Sequence, residues 1–83
     1  QESYKIYPNP VRDQLGFNIT SLKDNIANFQ IIDAMGKEMI NTERALYEGE
    51  NLLSFDTEYL PAGNYYIHYS DGEQSIIEKF IKL

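Results

Sequence analysis

The sequence predicts an all-β fold, a small antiparallel β-sandwich of about seven strands and immunoglobulin-like general shape. Three observations lead there. Short runs rich in Ile, Tyr, Phe and Leu are separated by Gly and Pro at spacings near the ~8–12 residues of all-β domains. Several of these runs alternate apolar and polar side chains with period two. No stretch carries a convincing amphipathic helix, and no internal repeat is present. The cysteine pair and buried Trp of immunoglobulin domains are missing, so the architecture rests on strand count and turn chemistry.

Tyr4-Lys5-Ile6-Tyr7 forms the first strand and is stopped by Pro8-Asn9-Pro10, where two prolines remove backbone donors and hold the preceding residues extended. Gln14 to Thr20 follows, with Leu15, Phe17 and Ile19 on one face. A third strand over Ile26 to Ile32 sets Ala27, Phe29 and Ile31 against Asn28 and Gln30. It feeds a turn, Asp33-Ala34-Met35-Gly36, in which the Asp side chain bonds the turn backbone and Gly36 supplies a positive φ. The chain then returns through Met39, placed inward. Asn41 to Gly49 is polar and poorly periodic; it is expected to be a connection between sheets, with room for a short helix over Thr42 to Leu46. Asn51 to Asp56 gives a strand with Leu53 and Phe55 inward, and Leu60-Pro61-Ala62-Gly63 turns the chain. Asn64 to Ser70 is the clearest strand, with Tyr65, Ile67 and Tyr69 on one face and Tyr66, His68 and Ser70 on the other. Asp71-Gly72 is expected to close a type I′ hairpin onto a last strand from Gln74 to Lys82.

With 83 residues the chain makes one domain, residues 1–83. Residues 1–3 are expected to be a linker and 4–83 the sandwich. A chain this short buries only about 60% of its extended surface, and without cysteine one core must carry the stability. A formal charge of −6 argues against nucleic acid, whose phosphates are neutralised by Lys and Arg. No apolar run approaches the ~20 residues of a membrane span. The 42% hydrophobic content, with seven Tyr and four Phe, exceeds that of a disordered tail.

Catalysis needs a nucleophile beside a base, or paired carboxylates, in a concave site. His68 is the only histidine and sits on an ordinarily alternating strand, so several-imidazole metal sites are excluded. The acidic residues are scattered; Asp33, Asp56 and Glu58 flank turns, and none falls in a calcium-loop pattern. No cofactor or metal is expected. Asn18-Ile19-Thr20 fits the glycosylation pattern but lies within a strand. A carbohydrate-binding or other accessory module is the alternative function, resting on Tyr65, Tyr66 and Tyr69; alternation leaves only Tyr66 facing outward.

Three pieces in this order resemble the type A C-terminal sorting domain of the Bacteroidetes type IX (Por) secretion system, over nearly the whole chain. Tyr7-Pro8-Asn9-Pro10, followed by Val11 and Leu15, is similar to the family's opening Tyr-Pro-Asn-Pro motif. Ile31-Ile32-Asp33-Ala34-Met35-Gly36-Lys37 resembles its aliphatic-Asp-x-x-Gly-Lys hairpin, with Ala34-Met35 replacing the usual aliphatic-Thr pair. Leu60-Pro61-Ala62-Gly63-Asn64-Tyr65 resembles its Leu-Pro-Ala-Gly-x-Tyr turn. Lys79-Phe80-Ile81-Lys82-Leu83 closes the chain in the family's basic, aliphatic manner, with Leu83 beyond the Lys on which many members end.

The resemblance implies a non-catalytic address label for a larger cargo, passing through the periplasm to the cell surface or medium. Its implied partners are the outer-membrane translocon, its β-barrel shuttle protein, the upstream cargo and a sortase-like cysteine peptidase that removes the label at or before residues 1–3. Pro8, Pro10, Gly36, Pro61 and Gly63 fix turn geometry and thereby which edges and loops a receptor meets. The last strand, with Lys79 and Lys82 expected together on its polar side and Phe80 and Ile81 between them, is the expected recognition element, because a strand at a sheet edge can add to a partner's sheet.

Overall fold

A computed structural model describes residues 3–83; Gln1 and Glu2, on which most of the expected linker falls, lie outside the described residues. The chain folds into seven strands: β1 (Tyr4–Tyr7), β2 (Gln14–Ser21), β3 (Asn25–Asp33), β4 (Glu38–Leu46), β5 (Gly49–Asp56), β6 (Gly63–Ser70) and β7 (Ser75–Lys82). They form a three-stranded sheet in the order β1-β2-β5 and a four-stranded sheet in the order β4-β3-β6-β7, antiparallel throughout. The expected all-β sandwich is therefore present. Its arrangement differs from the constant-type immunoglobulin order in placing the fourth strand beside the third.

The period-two pattern settles what is inside. Leu15, Phe17 and Ile19 of β2 and Phe55 of β5 face Ala27, Phe29 and Ile31 of β3 and Tyr65, Ile67 and Tyr69 of β6, all nearly or fully buried. Aromatic rings dominate the centre. Phe29 lies 5.2 Å from Phe17, 5.1 Å from Phe55 and 5.4 Å from Tyr69, mostly tilted or edge-on, the geometries that ring quadrupoles favour.

Two expectations are corrected. Asn41 to Leu46 is strand, not connection: β4 runs unbroken from Glu38 to Leu46, and only Tyr47 and Glu48 carry the chain to the other sheet. The segment hides its identity because inward positions of this edge strand carry Thr42 and Arg44 as well as Ile40 and Leu46. Arg44 lies over the Phe55 ring at 4.7 Å and donates to the Ser54 carbonyl at 3.3 Å, so a cation covers the core margin in place of an apolar residue. The second correction concerns Asp71-Gly72. A type I′ turn needs positive φ at both residues, yet only Gly72 has it, at 90°. Instead Asp71 Oδ1 accepts the N–H groups of Glu73 and Gln74, both at 2.9 Å, and Oδ2 accepts the Tyr69 hydroxyl at 2.8 Å. Those bonds hold a four-residue loop, and β7 begins at Ser75.

The sandwich is elongated, 35 × 21 × 18 Å. One pole holds the start of β1, the β2–β3 and β6–β7 loops, joined by a Lys23–Glu73 ion pair at 3.1 Å, and the β4–β5 link. The β1–β2, β3–β4 and β5–β6 turns and the end of β7 gather at the other pole.

Candidate functional site

All three sequence motifs and the chain's last residues meet at that second pole, and the side chains of Tyr7, Asn9, Val11, Asp33, Leu60 and Tyr65 each have an intramolecular task there. Pro8 and Pro10, both preceded by cis peptide bonds, shape the β1–β2 loop. Between them the Asn9 amide faces the outer edge of β7: Oδ1 accepts the Ile81 N–H at 3.0 Å and Nδ2 donates to the Lys79 carbonyl at 3.4 Å. Val11, fully buried, continues this contact as a parallel bridge to Lys82, its N–H donating to the Ile81 carbonyl at 2.8 Å and its carbonyl accepting the Leu83 N–H at 2.9 Å. Tyr7 donates from its hydroxyl to Asn18 at 3.1 Å and lays its ring over Gly16, where a Cβ would sit 2.9 Å from the ring.

The second motif is a self-contained turn. Asp33 Oδ1 accepts the N–H groups of Met35 at 2.9 Å and Lys37 at 2.8 Å, the Asp33 carbonyl accepts the Gly36 N–H at 3.0 Å, and the Asp33 N–H donates to the Lys37 carbonyl at 2.9 Å. Gly36 takes a φ of 88°, as a hairpin closing through a left-handed residue requires. Lys37 thus enters the turn through its backbone and its side chain stays exposed.

In the third motif Leu60 is 3% exposed and anchors the β5–β6 turn in the core. Tyr65, at the start of β6, donates its hydroxyl back to the Pro61 carbonyl at 2.5 Å. This is the tyrosine corner found in other sandwiches. Burial, with the Asp33 carboxylate nearby, pushes the Tyr65 phenol above its ordinary range. Its ring stacks on Phe80 at 5.7 Å, which ties the turn to β7. Gly63 pairs with Lys82 in the β6–β7 ladder.

Sequence reasoning missed Thr57. Wholly buried, it donates its N–H to the Asp13 carbonyl at 2.8 Å and its hydroxyl to the Arg12 carbonyl at 3.2 Å, joining the first motif's loop to the third's. Between the second and third motifs lies a shallow groove of about 350 Å³ lined by Met35, Lys37, Met39, Pro61, Ala62 and Tyr65, with Met35 94% exposed at its lip.

The last strand requires a correction. Lys79 and Lys82 lie on opposite faces, because three strand positions reverse the side-chain direction. Lys82 is 8% exposed, on the inner side with the fully buried Phe80, and its Nζ donates to the Leu83 carbonyl at 3.2 Å. Lys79 and Ile81 face outward. β7 is an edge strand, as expected, but Asn9 and Val11 cover the edge along residues 79–83.

Away from this pole, His68 Nδ1 meets Gln30 Oε1 at 3.2 Å on the outer face, where Gln30 and Asn41 both donate to Glu38. Tyr65 and Tyr69 are core residues, so the tyrosines of β6 form no exposed strip. Among the described residues no group of three or more His, Asp or Glu side chains could hold a metal ion, and no helix is long and apolar enough to cross a membrane.

A family model described as "Secretion system C-terminal sorting domain" matches residues 5–83. No curated protein matches the chain. Among solved structures, the fold is similar to part of dimeric latent PorU from Porphyromonas gingivalis, with a TM-score of 0.78, 18% identity, and coverage of 99% of this chain and 9% of that one. It is also similar to part of the β-glucosidase EmGH1 from Erythrobacter marinus, with a TM-score of 0.59, 10% identity, and coverage of 100% and 15%. The chain thus spans a small part of each, and at these identities the likeness is one of fold.

Proposed function

Since this chain belongs to the secretion-system C-terminal sorting domain family, its function is that of a type IX secretion and sorting signal, and we propose how its fold serves that role. The domain directs a larger cargo for export to the cell surface or the medium, and it works with the type IX secretion machinery. In the proposed route the cargo waits in the periplasm and the outer-membrane translocon and its β-barrel shuttle protein receive the folded domain. A sortase-like cysteine peptidase then cuts at or before residues 1–3, and the cargo is anchored or released. Residues 1–83 act as one unit throughout, with 4–83 as the sandwich.

Polarity is the observation that supports this reading. The start of β1, where a preceding cargo attaches, lies at one pole of the 35 Å long sandwich, and the three motifs with the end of β7 lie at the other. A receptor can hold the motif pole while a peptidase reaches the junction. Pro8, Asn9, Pro10, Asp33, Gly36, Lys37, Pro61 and Gly63 build the presented surface, the buried Leu60 and Tyr65 hold its third turn from beneath, and Phe80 and Lys82 anchor the strand on which Lys79 and Ile81 are displayed. No step of the proposed route asks the domain for catalysis.

The test is a periplasmic reporter fused ahead of residues 1–83, expressed in a type IX-competent bacterium and in a translocon mutant. Surface delivery in the first and retention in the second is the expected result; equal behaviour in both overturns the reading.

A further inference from the structure

The outer edge of β7 is divided into a covered and an open half. Ile81 directs both its N–H and its C=O away from β6, to Asn9 and Val11. In an antiparallel ladder this outward direction recurs at every second residue, hence at Lys79, Ile77 and Ser75. The Lys79 carbonyl is met by the Asn9 amide. Ile77 is different: its N–H and C=O have no partner among the described residues, and its side chain is 62% exposed. The Asn9 side chain therefore stands as one peptide-like group where a neighbouring strand would lie, and the row of such positions continues past it unfilled.

Natural sandwiches blunt free edges with charged side chains, proline, bulges or covering loops, and of these the outward side of the open half of β7 carries only Lys79, at its boundary. Here β7 pairs with β6 in unbroken register over eight residues and contains no proline, and the loop covers only its far half. Its outward side chains are Ser75, Ile77, Lys79 and Ile81, two aliphatic groups around one cation. The ion pair between described residues is Lys23–Glu73, at the other pole, so Lys79 is left to pair with an incoming charge.

Resting on the sorting reading, we infer that the stretch Ser75–Lys79 receives an extended segment of the secretion machinery as an added strand. Its end abuts the Asn9 amide, an aliphatic side chain covers Ile77, and an acidic side chain meets Lys79. Main-chain bonds to Ile77 supply the affinity. The Ile77 and Lys79 side chains supply selectivity.

The decisive variant is Ile77→Pro, which deletes an N–H that has no internal partner and is tolerated on an outward-facing edge position. Ile77→Ala keeps the N–H and shortens the side chain. Reporter fusions of wild type and both variants are compared for surface delivery in a type IX-competent bacterium, with protease resistance of the periplasmic pool as the measure of folding. Delivery of the folded Ile77→Pro fusion is expected to fall about tenfold, the equivalent of losing roughly one or two backbone hydrogen bonds, while Ile77→Ala stays nearer wild type. If Ile77→Pro proves protease-sensitive, Ser75→Pro, at the first strand position, decides in its place. Wild-type delivery of a folded proline variant overturns the inference while leaving the sorting reading intact; a wild-type fusion that is never delivered overturns the sorting reading itself. Concentration-dependent dimerisation of wild type that Ile77→Pro abolishes overturns it too, by assigning the edge to a second copy of this chain.

Discussion

Asn9 and Ile81, 72 positions apart, are joined by a side-chain oxygen that accepts a backbone N–H at 3.0 Å, so the first motif of the chain closes on its last strand. The consequence is that the motif pole is complete only when both ends of the domain are present and folded.

Replacing Asn9 by Ala is expected to lower stability by about 1 kcal/mol, the ordinary net worth of such hydrogen bonds, and the melting temperature by roughly 4–8 °C. Asn9→Asp keeps the acceptor for Ile81 but sets a second, charged acceptor oxygen against the Lys79 carbonyl in place of the donor, so its loss is no smaller than that of Asn9→Ala. Thermal melts of the three proteins at neutral pH check the order.

Tyr65→Phe removes the hydroxyl that bonds the Pro61 carbonyl and leaves the stacked ring in place. A loss of about 1–1.5 kcal/mol is expected, read as a lower denaturant midpoint with unchanged slope. Tyr66→Phe on the outer face of the same strand serves as the contrast and stays within about 0.5 kcal/mol of wild type.

Gly36→Ala tests the second motif. Nothing lies within 4 Å of the position a Cβ would take, so the penalty is conformational alone, that of a side chain at a φ of 88°. About 1–2 kcal/mol is expected from equilibrium unfolding. A change near zero would show that the turn relaxes to another type.

Acid sensitivity follows from Asp71. Burial pushes its carboxyl up, but the bonds from Gln74, Glu73 and Tyr69 together outweigh burial and hold it below its ordinary value of 3.8. A carboxyl depressed in the folded state contributes stability above its unfolded pKa and loses it as the pH falls through the folded pKa. Stability should therefore decline below about pH 4–5, and Asp71→Asn should weaken the domain at pH 7 while flattening that decline. Unfolding measured from pH 7 down to pH 2 distinguishes the two profiles.

Phe29→Ala empties the centre of the aromatic cluster, where three rings lie within 5.5 Å of its own. A loss of about 3–5 kcal/mol is expected, enough to unfold a domain of this size at 37 °C, and circular dichroism reads it directly.

Local chemistry was legible in the sequence. Leu15-x-Phe17-x-Ile19 and Tyr65-x-Ile67-x-Tyr69 announced their buried faces because strand side chains alternate regardless of what they pack against. Asp33 with Gly36 announced its turn because an acceptor side chain and a positive φ act within four residues, whereas the hydrogen-bonded turn of the β5–β6 connection is Thr57–Leu60, ahead of the expected Leu60-Pro61-Ala62-Gly63. Arg44 and Thr42 concealed β4, since the margin of the core accepts an aliphatic stem or a small hydroxyl where the centre does not. Only the tertiary structure decided the rest. Thr57 gains its role from two carbonyls more than forty positions away, Lys82 is buried because strand parity puts it beside Phe80, and the edge of β7 is half closed because Asn9 reaches it from the far end of the chain. Period and turn type are properties of a few consecutive residues; which edges meet depends on how two sheets stack, and no local spacing encodes that.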